Sequence, residues 1–161
     1  MQRVLLATVA LSFLAACLPG DDLPLAQTQV AMFHDKLNAG AFAAIYQGAG
    51  PDMKAASTQA DFVQLLSAVH RKLGAFQSAS AAGWKDNATT SGHFLTLNFA
   101  AKFERGSAQE NFVYRIDGGH ALLAGYHITS NALIIDQPET KAPPPIRPRL
   151  RPGAAAPPRS T

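Results

Sequence analysis

Chemistry in this chain has to come from five histidines, eleven carboxylates, three tyrosines and one cysteine. His34, His70, His93, His120 and His127 lie far apart, two on predicted helices and three on or beside predicted strands. No pair has a metal-ligand spacing, so no metal site is expected. A phosphate-cradling glycine loop and a nucleophile elbow are both missing, and no cofactor is expected either. Acid–base work remains, and it needs a carboxylate or imidazole facing an apolar cavity, where desolvation moves its pKa towards the working pH. Asp61 is expected to cap a helix together with Thr58, and His70 to stand beside Arg71 and Lys72 on a solvated face. Tyr126, His127 and Tyr46 are candidate ligand contacts, and no residue is assigned as catalytic. Glu104, Arg105 and Glu110 bracket a predicted hairpin and are expected to pair across it at the surface.

The elements that would position these residues centre on residues 92–128. Predicted strands 94–103, 109–116 and 120–128 are joined by Arg105-Gly106-Ser107 and Asp117-Gly118-Gly119, which makes an antiparallel meander. Leu95, Leu97, Phe99, Ala101 and Phe103 alternate with more polar neighbours, so one sheet face is strongly apolar and needs cover. On the last strand strict alternation groups Tyr126 with Leu122, Ala124 and Ile128, and His127 with Leu123 and Gly125. Upstream, Ala26, Val30, Phe33 and Leu37 recur at helical spacing until Asn38-Ala39-Gly40. A short helix over 42–46 is broken by Gly48-Ala49-Gly50-Pro51. A longer helix opens at Thr58 and Asp61, carries Phe62, Leu65, Leu66, Val69 and Leu73, and ends at Gly74. Residues 75–85 are expected to form a further strand and 87–92 a polar turn, while 131–135 either extends the last strand or tucks back.

With 161 residues, 47% of them hydrophobic, the chain suits one domain over 25–136. Arg3 followed by the apolar run 4–14 makes residues 1–16 a secretory signal, too short to span a bilayer comfortably. Leu14-Ala15-Ala16-Cys17 resembles the lipobox of bacterial lipoproteins, which implies cleavage between Ala16 and Cys17 and acylation of Cys17. Leu18 in place of an aspartate then implies the periplasmic face of an outer membrane, with 17–24 as anchor and linker. Residues 18–140 carry 8 Lys/Arg against 11 Asp/Glu, whereas the tail is basic. Residues 137–161 hold eight prolines interleaved with Arg147, Arg149, Arg151 and Arg159, a composition that favours a disordered tail able to touch an anionic surface. Nucleic acid is not an expected partner, because the compartment is wrong and the meander lacks basic and aromatic interleaving.

Helices followed by a strand and a meander resemble the cystatin-like, nuclear transport factor 2-like superfamily. Phe33-His34-Asp35-Lys36-Leu37-Asn38, Ala44-Ile45-Tyr46, Lys72-Leu73-Gly74, Phe103-Glu104-Arg105-Gly106 and Gly125-Tyr126-His127-Ile128 are similar to phrases of small bacterial lipoproteins whose domain has no assigned function. The resemblance implies an α+β fold, with N-terminal helices packed on a curved antiparallel sheet of about four strands around a cone. The expected function is a non-enzymatic, lipid-anchored envelope protein binding a small apolar ligand or a protein partner. An assembly or dimerisation subunit is the alternative, and an isomerase- or hydrolase-like enzyme is the third reading. An enzyme should place an ionisable residue on an inward apolar stripe, and the stripe from Leu95 to Phe103 has none.

Overall fold

The computed structural model describes residues 22–134; Ala16, Cys17, the signal and linker segments before Asp22, and the arginines of the tail lie outside them. Four helices, α1 (Asp22–Asn38), α2 (Phe42–Gln47), α3 (Pro51–Ala56) and α4 (Gln59–Leu73), precede four strands. The strands β1 (Phe76–Thr89), β2 (Gly92–Phe103), β3 (Gly106–Asp117) and β4 (His120–Thr129) are followed by a single helical turn, α5 (Asn131–Ile134). The sheet is an open antiparallel meander in the order β1-β2-β3-β4. The fold is thus α+β, with helices on one side of four strands.

Each helix edge has a local cause. Thr58 accepts a hydrogen bond from the Asp61 amide at 3.2 Å and donates one to its carboxylate at 2.6 Å, so α4 starts where the capping pair predicts. Gly74 ends it at φ +78°, and a Cβ there would collide with the Glu104 side chain, so the position requires glycine. The Gly50-Pro51 break starts a helix as well as stopping one, because proline fits the first helical turn, where no amide partner is needed. That adds α3 to the expected set. Gly50 also donates its amide to the Leu123 carbonyl at 2.9 Å, tying this corner to β4.

The apolar rows of α1 (Ala26, Val30, Phe33, Leu37) and α4 (Phe62, Leu66, Val69, Leu73) bury against Leu95, Leu97, Ala101, Phe103, Phe112 and Tyr114. This is the face the alternation in β2 marks as needing cover. Three sheet features depart from simple alternation. First, β1 runs to Thr89 because Asn87, Ala88 and Thr89 pair with Phe94, His93 and Gly92, so the expected polar turn shrinks to Thr90 and Ser91. Second, the register of β4 shifts between the Val113–Gly125 and Tyr114–Leu123 pairs, leaving Ala124 as an extra residue. A one-residue bulge reverses facing, so Ala121 and Leu123 share the buried side with Tyr126 and Ile128, whereas strict alternation puts Tyr126 with Leu122. Third, residues 131–134 form a helical turn whose Leu133 carbonyl accepts from Lys72 at 3.1 Å, so this segment tucks back. At the far end of the sheet Arg115 holds Asp52 of α3 through two contacts of 2.6 Å, which lowers the Asp52 carboxyl pKa below its ordinary value.

Candidate functional site

The inward stripe of β3 reads Ala108, Glu110, Phe112 and Tyr114, and the second of these is a carboxylate with 2% exposure. Glu110 does not pair with Glu104 or Arg105 across the β2–β3 hairpin. Its rung, opposite Phe99 and Ile128, lies on the helix-covered face, several residues from the turn. Glu104 instead accepts the Ala75 amide at 3.0 Å, and Arg105 donates to the carbonyls of His70, Arg71 and Lys72 at the end of α4. These carbonyls belong to the last turn of α4, where that of His70 also accepts the Gly74 amide at 2.9 Å, so a guanidinium there adds hydrogen bonds and meets the negative end of the helix dipole.

Glu110 is matched from the helix layer. His34 of α1, 3% exposed, brings its Nε2 to 2.9 Å from Glu110 Oε2, and the Tyr126 hydroxyl donates to Oε1 at 2.7 Å. Both carboxylate oxygens are therefore engaged, which makes burial of this charge tolerable. A carboxylate that accepts twice places a hydrogen on Nε2, and the neutral imidazole then carries its lone pair on Nδ1. The ring is clamped as well as bonded. Phe76 stacks on it, with centroids 3.6 Å apart and planes within 5°, while Phe33 and Phe112 meet it edge-on, each 5.7 Å away. Phe76 is in turn pinned by Asn38, whose side chain bonds both its amide (2.8 Å) and its carbonyl (3.0 Å).

Beside this cluster lies a groove of about 300 Å³, lined by Gln27, Val30, Ala31, His34 and Asp35 of α1, Phe76 and Ala79 of β1, and Phe99 of β2. It exists because β1 turns small side chains towards the helix layer: Ala79 and Ala81 stand opposite Ala101 and Phe99, leaving space that α1 does not fill. The His34 Nδ1 has no partner among the described residues, and no buried side-chain polar atom among them is left unsatisfied, so this nitrogen borders accessible space. A second cleft, about 40 Å³ and lined by Phe33, Tyr114 and Leu123 among others, has room for about one water.

The residues singled out from the sequence are dispersed by the fold. Tyr126 is in the cluster through its hydroxyl. His127 is exposed on the opposite sheet face, 3.1 Å from the Thr129 hydroxyl. Tyr46 donates to the Ser57 carbonyl at 2.8 Å and borders Phe62, away from the groove. Asp61 is engaged with Thr58, and His70 meets Phe42 edge-on at 5.9 Å. Cys17, Ala16 and the tail arginines fall outside the described residues. Among the described residues no three His, Cys, Asp or Glu side chains are grouped to hold a metal ion. His34 and Glu110 were the residues to find. Each interrupts an apolar stripe, His34 between Val30 and Leu37 at helical spacing and Glu110 between Ala108 and Phe112 at strand spacing.

Burial, and then the nearby Glu110 charge, push the Tyr126 phenol well above its ordinary pKa, and burial does the same to Tyr114. Folding therefore holds two of the three tyrosines neutral, whereas in the unfolded chain they ionise near pH 10. Stability should be insensitive to these groups below about pH 10 and fall as pH rises beyond it. Urea midpoints measured on either side of that value should show the drop, and Tyr126→Phe should make it shallower.

Residues 29–126 match the family described as "Protein of unknown function (DUF4019)", a span that contains His34, Glu110, Tyr126 and every residue lining the groove except Gln27. No curated protein matches the chain.

Proposed function

This chain belongs to the DUF4019 family, and we propose that it is a non-enzymatic, lipid-anchored cell-envelope protein whose domain binds a small, largely apolar ligand. The observation that carries this reading is the groove between α1 and β1. It is walled by Val30, Ala31, Phe76, Ala79 and Phe99, with one oriented polar atom, His34 Nδ1, at its base. A mostly apolar hollow with few, fixed polar groups is the usual form of a small-molecule site, and its volume suits a ligand of about ten to fifteen heavy atoms. Helices on one side of a four-stranded meander agree with a cystatin-like, nuclear transport factor 2-like domain.

Anchoring rests on Cys17 and the apolar run before it. Residues 17–21 reach at most about 18 Å, so acylation of Cys17 would hold the Asp22 end of α1 close to the membrane. Asp22 lies 3.8 Å from His93, which bonds Asp86 at 2.6 Å, so the β1–β2 hairpin would face the membrane too. The basic tail would then lie within reach of lipid phosphates or cell-wall carboxylates. Cys17→Ala should leave the precursor unprocessed and shift the protein out of the membrane fraction; unchanged palmitate labelling would sink the anchor.

A second reading, enzymatic, is favoured by one observation: an imidazole oriented by a buried carboxylate and open to a groove on its other nitrogen has the form of a general base. The assembly reading has less support. The large exposed apolar side chains among the described residues, Met32, Leu65, Trp84 and Ile134, stand on four different elements and form no single sheet patch.

The binding reading is tested by native mass spectrometry of the full-length protein, extracted from its own envelope in mild detergent, beside Ala79→Phe. Ala79 is exposed, so the larger ring fills the groove without disturbing the core. A reproducible extra mass lost in the variant is expected. The same extra mass on both proteins, or none on either, would remove the groove from consideration.

A further inference from the structure

The polarity of the groove narrows its ligand, on the premise that the groove binds one. No lysine or arginine lines it; exposed Asp35 is its lining carboxylate, and Glu110 lies outside the lining, behind the imidazole. The Nε2–H of His34 is spent on Glu110, so the imidazole in its neutral form offers an acceptor, Nδ1, to whatever occupies the groove. Phe76 and Phe99 present aromatic surface, which attracts cations through the ring quadrupole. A carboxylate or phosphate placed here would meet a lone pair and two like charges with nothing to neutralise it. An ammonium meets an acceptor, a rim carboxylate and two aromatic walls.

We infer that the groove between α1 and β1 takes an apolar amine: a compact hydrocarbon or aromatic body lying against Val30, Ala31, Phe76 and Phe99, with its nitrogen donating to His34 Nδ1 and facing Asp35. Glu110 and Tyr126 act as positioning residues, because the acceptor character of Nδ1 is set by the hydrogen bond on the far side of the ring. The specificity can accordingly be inverted without touching the groove wall. In Glu110→Gln only one amide orientation lets Tyr126 keep donating, and that orientation offers an N–H to His34 Nε2. The imidazole hydrogen then moves to Nδ1, and the groove presents a donor.

The probes are 2-phenylethylamine, 2-phenylethanol and phenylacetate, near-isosteric molecules that differ in the terminal group, titrated by calorimetry into the full-length protein in detergent at pH 7.5. The amine should bind at least about tenfold more tightly than phenylacetate, with the alcohol between them. Asp35→Asn, at an exposed position that does not threaten folding, should weaken the amine about threefold and leave the alcohol unchanged. Glu110→Gln should erase or reverse the amine preference. Equal affinities for amine and carboxylate would overturn the amine assignment while leaving the groove a binding site. Failure of all three probes to bind, together with an Ala79→Phe variant that keeps its co-purified mass, would overturn the site itself.

Discussion

Glu110→Ala should be the most damaging single polar substitution in the domain, costing about 3–5 kcal/mol and lowering Tm by roughly 10–20 °C. The cost is not that of a surface ion pair. Removing the carboxylate leaves the His34 Nε2–H and the Tyr126 hydroxyl without acceptors in a space closed to water, and it opens a void between Phe99 and Ile128. Each buried donor left unpaired costs about 1–3 kcal/mol, and the cavity adds to that. Glu110→Gln retains shape and both partners, and should cost about 1 kcal/mol. A double-mutant cycle pairing Glu110→Ala with His34→Phe separates the two contributions. With the imidazole already gone, Glu110→Ala should cost markedly less than alone, giving a coupling of about 1–3 kcal/mol. Chemical denaturation of the four proteins measures it, and strict additivity would mean that the two side chains do not depend on one another.

Phe112→Ala should cost a comparable amount, about 3–5 kcal/mol, for a different reason. Phe112 is fully buried, and its ring meets those of Phe33 (5.1 Å), Tyr126 (5.1 Å), His34 (5.7 Å), Phe99 (6.0 Å) and Tyr114 (6.3 Å). Phe112 thus touches both of the carboxylate's partners and, through Phe99, the groove wall. Truncation therefore loses packing area and also frees the His34 ring on one edge, so the cavity should extend the groove inward. Phe112→Leu should lose about half as much stability and keep the ring clamped. A stability series across Phe, Leu and Ala gives the energetic scale. The accompanying rise in the exchange rate of the His34 ring hydrogen reports the loss of order at the site.

Most of the frame was legible because the relevant signals are local. The stripe from Leu95 to Phe103, the α4 capping pair, the Gly74 stop and the Gly118-Gly119 turn with φ +56° and +75° each follow from a few adjacent residues. The site was not legible, because it depends on two elements meeting 76 residues apart in the chain. A histidine inside an apolar helical row and a glutamate inside an apolar strand row are each odd alone and explain each other only together. A bulge makes the difficulty worse: one extra residue at Ala124 places Tyr126 on the buried face along with Leu123, which no count by twos along β4 anticipates. The groove was hidden for a third reason. It is created by the smallness of Ala79 and Ala81, and small residues in a weakly patterned strand carry almost no sequence signal.

The site stands on Glu110 holding His34 with a hydrogen on Nε2 and, in the neutral ring, the Nδ1 lone pair open to the groove. Long-range proton–nitrogen NMR of the histidine rings reads both nitrogens directly. The expected spectrum has one ring with a protonated, slowly exchanging Nε2 and a bare Nδ1, and the Nδ1 resonance should shift when 2-phenylethylamine is added. In Glu110→Gln the two nitrogens of that ring should exchange roles. A His34 ring protonated at Nδ1 in the unaltered protein, or a ring hydrogen that exchanges as fast as that of exposed His127, would contradict the site as described.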